Sequence, residues 1–381
     1  MRVALCSHQL AGFDGVSVVA GQWADALEAL GHEVIEVAGS FGSRLAPTRE
    51  RRPLPALWAA EPGAEPPPLE NGDVRHALDG AEVVVFENVL TLASAPAAAM
   101  ALADHVDVHG LPAVVHHYDP PWEHADRRTD ARFPLALSGA THVATSNHVA
   151  GELAARRGIV AAVLHNPVDV AGVTGGARDA TRLERGVGVG ELLVVHPVGA
   201  YPRKRVDRAV DCVRRLRSMT GAPVRYWLTG ADEAFLAGDP ALGSLLGTLE
   251  DPPLLCRMDD VAGLYAASDL VLLTSDWEGW GMPVLEAAAA GRMPVTNPYP
   301  ILAEIGGLGV TTKDCGHVER WVEQIGSPGW TATLEANRCA VAHLDTIHLA
   351  ARLEPLLAAA ALGPASRVHP RNAMFTAVGR C

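Results

Sequence analysis

A chain of 381 residues, 49% hydrophobic and 20% charged, is long enough for two compact domains with sizeable cores and too apolar to stay disordered. Acidic residues outnumber basic ones by 44 to 31, a formal net charge of −13 with no basic run, which argues against a nucleic-acid surface and leaves room for a local anion site. The six cysteines (Cys6, Cys212, Cys256, Cys315, Cys339, Cys381) form no C-x-x-C pair and no zinc-ligand spacing, so free, reduced thiols are expected.

The chain opens on Met1-Arg2-Val3-Ala4-Leu5-Cys6, an apolar run that Ser7, His8 and Gln9 interrupt before it reaches the length of a signal-peptide core. Residues 2–6 therefore read as a buried first strand. Further β-branched or leucine-rich runs at 33–38, 82–86, 113–117 and 142–145 alternate with amphipathic stretches, the pattern of a parallel α/β sheet. The segment 45–71, dense in Pro, Glu and Arg, reads as a surface excursion, and the glycine-rich stretch 170–190 as a linker. Beyond it a second series of strands, at 192–198, 224–229, 254–258, 270–274 and 293–296, repeats the design. A last helical stretch at 345–362 precedes a polar, mixed tail.

The expected division is a first domain over 1–172, a second over 189–345, and a segment 346–381 whose helix crosses back to the first domain. Two doubly wound domains hold their ligand in the cleft between them, opposite the carboxyl ends of the strands. No apolar stretch attains the roughly 18 residues of a spanning helix, so a soluble, cytoplasmic protein without a membrane span is expected.

The densest constellation follows the strand 270–274. It reads Ser275-Asp276-Trp277-Glu278-Gly279-Trp280-Gly281-Met282-Pro283-Val284-Leu285-Glu286-Ala287. Pro283 suits the first turn of a helix that Ala287 to Ala290 continue and Gly291 stops. Glu286 then lies in the first turns of that helix and Glu278 on the loop before it. The loop glycines allow close backbone approach, and the helix start offers unpaired N–H groups and partial positive charge to an anionic or hydroxylated ligand. On composition alone a plain turn with a favourable charge at a helix start fits equally well.

Glu278, seven intervening residues and Glu286, with the glycines and proline between, closely resemble the Glu-x7-Glu signature of retaining glycosyltransferases of family 4. The resemblance implies a GT-B fold, two Rossmann-like doubly wound parallel-sheet domains with an interdomain cleft. It implies a nucleotide-sugar donor bound by Glu278, Gly279, Trp280, Gly281, Met282, Pro283 and Glu286, with Glu278 also catalytic. Gly12-Phe13-Asp14-Gly15-Val16-Ser17 resembles the family's first glycine loop, where Gly15 approaches donor phosphates or acceptor. His116-His117-Tyr118-Asp119 is similar to the place of a histidine near the donor sugar; strand alternation favours His117 over His116 as the catalytic one. Asn147 and Asn166 also look like family landmarks, with turn and cap chemistry as the plainer reading.

His196 to Asp207 resembles the loop that binds the diphosphate through an arginine and, five residues later, a lysine. Lys204 matches the lysine, while Gly199 stands where the arginine is expected, leaving Arg203 or Arg205 as second cation. The run from Arg257 resembles the turn framing the nucleotide base, in which Asp259 and Asp260 read as helix-start residues and not as metal ligands. The resemblance implies a hexose-type sugar moved from a UDP or GDP donor to a hydroxyl of a small-molecule, saccharide or natural-product acceptor, with no cofactor or metal required. A nucleotide-sugar epimerase and a catalytically weak sugar-nucleotide binder are the alternatives. No G-x-G-x-x-G supports a nicotinamide dehydrogenase.

Overall fold

The structure, a computed structural model, describes residues 1–44, 49–58, 65–123, 130–257 and 260–362. The described chain forms two units: Met1–Pro167 with residues 346–362, and Val168–Asp345. The tail 363–381 lies outside the described residues.

The first unit is built on a parallel sheet of seven strands, β1 (Arg2–Leu10), β2 (Glu33–Phe41), β3 (Glu50–Pro53), β4 (Val83–Glu87), β5 (Ala113–His117), β6 (Thr141–Ala144) and β7 (Ala162–Val163), in the order β3-β2-β1-β4-β5-β6-β7. Helices cover both faces, which is why the central strands are continuous apolar runs and not alternating ones. On one face Trp23 and Leu27 of the helix Gly15–Ala29 pack with Leu349, Leu353 and Leu357 of the last helix, Leu349–Ala361. On the other, Ala99, Leu102 and Val106 of the helix Pro96–His109 close the core.

Two expectations need correction here. The segment 45–71 is not wholly an excursion, because Glu50–Pro53 pairs with β2 as an edge strand. The Arg49 side chain is 2% exposed, enclosed by Asp25, Glu28 and Glu36, and Arg52 donates to the Asp79 carbonyl at 2.6 Å. Pro53 is tolerated because it ends a strand at the sheet edge. Residues 45–48 and 59–64 of that segment lie outside the described residues.

Nor is 170–190 a free linker. It holds two short helices, Val170–Val173 and Arg178–Glu184, packed into the second unit. Gly176 sits so close to Ala262 that an added Cβ would lie 2.1 Å from its carbonyl oxygen. Arg178 and Arg182 bind the carbonyls of Ala267 and the carboxylate of Asp269. Gly176 serves close packing, while Gly175, Gly186 and Gly190 take positive φ with open space around them, and the boundary between the units falls at 167/168.

The second unit carries a parallel sheet of six strands, β8 (Leu192–Gly199), β9 (Val224–Gly230), β10 (Leu254–Leu255), β11 (Leu270–Leu273), β12 (Met293–Thr296) and β13 (Lys313–Asp314), in the order β10-β9-β8-β11-β12-β13. The helix Val206–Thr220 buries Val206, Ala209, Val210, Val213 and Leu216, the spacing of one helical face, and Gly221 ends it in the left-handed conformation. The helix Met282–Ala289 inserts Val284, Leu285 and Ala288 into the same core. In both sheets the order reverses beside the first strand, between β1 and β4 and between β8 and β11, where doubly wound sheets gather their ligands. Among the described residues no helix is long and apolar enough to cross a membrane.

Candidate functional site

Beyond β11 the chain turns through Thr274 and Ser275, both fully buried, into the loop that ends at Gly281. That loop is stitched to the turn Pro202–Lys204 after β8. The Thr274 hydroxyl reaches the carbonyls of Lys204 (2.9 Å) and Arg205 (3.0 Å), and the Asp276 amide donates to the Arg203 carbonyl at 2.9 Å. Arg205 adopts a left-handed backbone (φ 49°) to end the turn and start the helix Val206–Thr220. Its guanidinium is directed to Asp207 (2.6 Å) and Asp276 (3.2 Å), and Arg208 joins Asp276 at 2.8 Å.

Lys204 and Arg203 take the other direction. Lys204 Nζ lies 2.6 Å from Glu278 Oε1, and Arg203 Nη1 lies 3.6 Å from Glu278 Oε2. Arg203 also sits over the Trp277 ring, 4.5 Å from its centroid. Of the two candidates for a second cation, the geometry thus brings Arg203 to Glu278 and sends Arg205 elsewhere. Gly199 ends β8 with the Tyr201 ring beside it, 2.5 Å from where a Cβ would stand, so no side chain fits there while Tyr201 keeps its place.

Gly281 opens the helix Met282–Ala289 with φ +76° and no side chain to cap the first amides. A Cβ there would lie 2.6 Å from the Tyr299 hydroxyl, a second reason for glycine. Met282 and Pro283 form the first turn, and Glu286, half-buried one turn on, accepts a hydrogen bond from the Tyr265 hydroxyl. Burial, together with the Glu286 charge, holds the Tyr265 phenol well above its usual range, so it stays a donor. Trp280 is 2% exposed and belongs to the core. Gly279 lies half-buried on the loop between Glu278 and Trp280. Arg257 is exposed in the turn after β10, while Asp260 caps the helix Val261–Ala267 by accepting from the Gly263 amide at 2.9 Å. Asp259 lies outside the described residues.

Sequence reasoning missed three residues here. His196, fully buried on β8, contacts the Tyr226 hydroxyl at 2.8 Å and Thr274 at 3.4 Å, and burial aided by Lys204 pushes it down to about 3. Asn297 donates to the Ser275 carbonyl at 2.8 Å. The Tyr299 hydroxyl is buried with no hydrogen-bond partner among the described residues. Asn297 and Tyr299 follow the carboxyl end of β12, and that position was the available signal.

In the first unit the corresponding strand ends hold Gly15, the first residue of the helix Gly15–Ala29. A Cβ added at Gly15 meets nothing within 4 Å, whereas one at Gly12 would strike the Asp14 carboxylate at 2.8 Å. Asp14 caps the helix, accepting from the Ser17 amide (3.0 Å) and hydroxyl (2.6 Å). At 147 the cap is the preceding Ser146, whose hydroxyl accepts from the Val149 amide; Asn147 is the first helical residue. Asn166 is 3% exposed just before Pro167.

The histidine pair is entirely internal. Alternation places His116 and His117 on opposite sides of β5, and both sides are covered. His116 stacks on Trp23 and hydrogen-bonds Glu87 at 2.9 Å; Glu87 is a fully buried strand residue that also accepts from Tyr118 at 2.6 Å. His117 uses one ring nitrogen on Thr91 and the other on His142, both at 2.9 Å. Burial, then the two neighbouring histidines, holds His117 well below its ordinary value, so it is a neutral member of a core network.

Residues 192–326 match the family described as glycosyl transferases group 1. That span contains Arg203, Lys204, Arg257, Glu278 and Glu286. The chain is 24% identical over 369 residues to the mannosylglucosylglycerate synthase of Thermotoga maritima, covering 79% of this chain and 81% of that protein. It is 29% identical over 168 residues to the D-inositol 3-phosphate glycosyltransferase of Rhodococcus erythropolis, 42% of this chain and 36% of that protein. Anabaena HepE, solved in complex with UDP-glucose, superposes with a TM-score of 0.72 at 18% identity, over 94% of this chain and 99% of that one. Residues 192–326 thus carry a glycosyl transferases group 1 domain, and the two parallel Rossmann-like sheets give the chain the GT-B fold of the solved glycosyltransferases it resembles.

Proposed function

We propose that the protein moves a hexose-type sugar from a nucleoside diphosphate to an acceptor hydroxyl, with retention of anomeric configuration. The observation that carries this reading is the convergence of Lys204 and Arg203 on Glu278, beside the uncapped start of the helix Met282–Ala289. Cations and helix-start amides suit a leaving diphosphate, whose growing charge they stabilise without reorganising. A carboxylate suits sugar hydroxyls, which are donors. Glu286, oriented by Tyr265, is the partner for the ribose, and Arg257 flanks the base. UDP-glucose, the ligand of HepE, is a donor of the required kind.

In the proposed step the acceptor oxygen bonds to the anomeric carbon as the carbon–oxygen bond to the diphosphate breaks. The acceptor's proton passes to a departing phosphate oxygen, on the same face. Arg203 and Lys204 supply the positive charge, so the reading requires no metal. His117 has both ring nitrogens engaged and takes no part in this scheme.

The test is a thermal-shift panel of UDP, GDP, ADP and TDP with and without magnesium, followed by transfer assays with the matching sugar donors and an acceptor library. One nucleotide should raise the melting temperature without metal. The product's anomeric configuration, read by NMR coupling constants, should equal the donor's. No shift with any nucleotide, or an inverted product, would defeat the reading; turnover of the donor alone to its epimer would replace it.

A further inference from the structure

The Glu278 carboxylate is held by two cations. Its side chain is 10% exposed and that of Lys204 11%, with Lys204 Nζ on one carboxylate oxygen and Arg203 Nη1 facing the other. The other charges of these two loops are matched separately, Asp276 and Asp207 taking Arg205 and Arg208. Three charges are therefore set apart at the start of the helix, two cations and one largely buried carboxylate. A phosphate that engages both cations must draw them from Glu278, and a carboxylate enclosed in protein without its partners is strongly disfavoured.

Ligands differ in what they return to that carboxylate. A nucleoside diphosphate brings phosphate oxygens, which only accept, so Glu278 is left uncompensated. A nucleotide sugar brings hydroxyl donors next to the phosphates, and a hydroxyl donated to a carboxylate is a charge-assisted hydrogen bond. We propose that Glu278 is a specificity-determining residue that makes the site discriminate against the nucleoside diphosphate product and in favour of the intact donor, by competing for Lys204 and Arg203 whenever no sugar hydroxyls are present. This rests on the nucleotide-sugar reading above. After transfer, the carboxylate returns to its cations and the diphosphate is released, so the residue that orients the sugar also speeds product departure. A positively charged pocket with no internal carboxylate would instead be saturated by its own product.

The experiment is isothermal titration of wild type and Glu278→Gln with UDP, GDP, ADP and TDP and with their glucose conjugates. Wild type should bind the conjugate of its preferred nucleotide about tenfold more tightly than the bare diphosphate. In Glu278→Gln the diphosphate should tighten by about tenfold and the preference for the conjugate collapse. Glu278→Ala, which removes the carboxylate without the polar amide, must move the diphosphate affinity in the same direction should the glutamine variant misfold. Asp276→Asn removes a negative charge from the same loop but one held by Arg205 and Arg208, and it should leave the ratio unchanged. A diphosphate affinity unaltered or weakened in both Glu278 variants overturns the proposal, as does an equal change in Asp276→Asn. A wild type that binds no nucleotide overturns the underlying reading, and the proposal with it.

Discussion

Two helices begin at a strand end beside a glycine loop, and they treat their first amides differently. The helix Gly15–Ala29 is closed by its own Asp14, whose carboxylate takes the Ser17 amide and hydroxyl. The helix Met282–Ala289 starts at Gly281 with no capping side chain, and the nearby carboxylate, Glu278, is held by Lys204 and Arg203 instead. A capped start stabilises its own helix. An uncapped one gives up that stabilisation and leaves partial positive charge for a ligand. The contrast teaches that two glycine loops alike in sequence can differ in whether the following helix start is closed by its own side chain or left open beside cations.

The largest expected effect comes from Lys204→Ala. It removes the cation closest to Glu278, so sugar transfer should fall by about a hundredfold in kcat/KM, about 3 kcal/mol of transition-state stabilisation. Donor affinity should weaken with it. Unchanged donor affinity would remove Lys204 from the diphosphate site and with it the distinction between the two helix starts.

Acidification is next, and it touches both units alike. His117 and His196 stay neutral when folded, His196 down to about 3, while an unfolded histidine takes up a proton near 6.5. Below 6.5 the unfolded chain therefore binds more protons, so the stability these residues contribute is complete above that value and is lost as pH falls through and beyond it. Between pH 7 and pH 5 His196 should cost about 2 kcal/mol, and His117 should add to the loss in the same direction. Urea melts at the two pH values measure this, and His196→Asn should flatten part of the slope. A flat profile in wild type would show that water reaches these side chains.

Most of the fold was legible because buried parallel strands announce themselves: residues 113–117 and 293–296 coincide with β5 and β12. The loop from Asp276 to Gly281 and the helix after it were legible from Pro283, Gly281 and Gly291, residues with few other uses in that order. Glu50–Pro53 was not, because its arginines carry the composition of a surface while their charges are matched inside the unit. Gly176 was misread because glycine serves flexibility and close packing equally in sequence, and only the Ala262 carbonyl decides between them. The preference for His117 over His116 rested on alternation alone, and both side chains are fully buried. Alternation separates two faces, and it says nothing about whether either is open.

A smaller effect is expected from the capped helix. Asp14→Ala removes the acceptor of the Ser17 amide and should lower stability by about 1 kcal/mol, seen as a melting temperature lower by about 2–4 °C. A variant that kept its melting temperature but lost transfer would show that Asp14 serves a ligand, and the two helix starts would then be alike.

The smallest effect should come from Tyr299→Phe, and its sign is what carries information. The Tyr299 hydroxyl is buried against Gly281 without a hydrogen-bond partner among the described residues, and burial, with the Glu278 charge, pushes the phenol far above its ordinary range, so it is a neutral O–H. A buried donor with nothing to donate to contributes no hydrogen bond and carries its desolvation cost, so phenylalanine should leave the melting temperature of the unliganded protein unchanged or raise it slightly. The same substitution should relieve the contact at Gly281, letting Gly281→Ala fold with a smaller loss in the Tyr299→Phe background than alone. What remains of that loss is the left-handed backbone, about 1 kcal/mol. A clear fall in stability for Tyr299→Phe would mean that the hydroxyl is bonded in solution, closing the uncapped helix start from within as Asp14 closes the other.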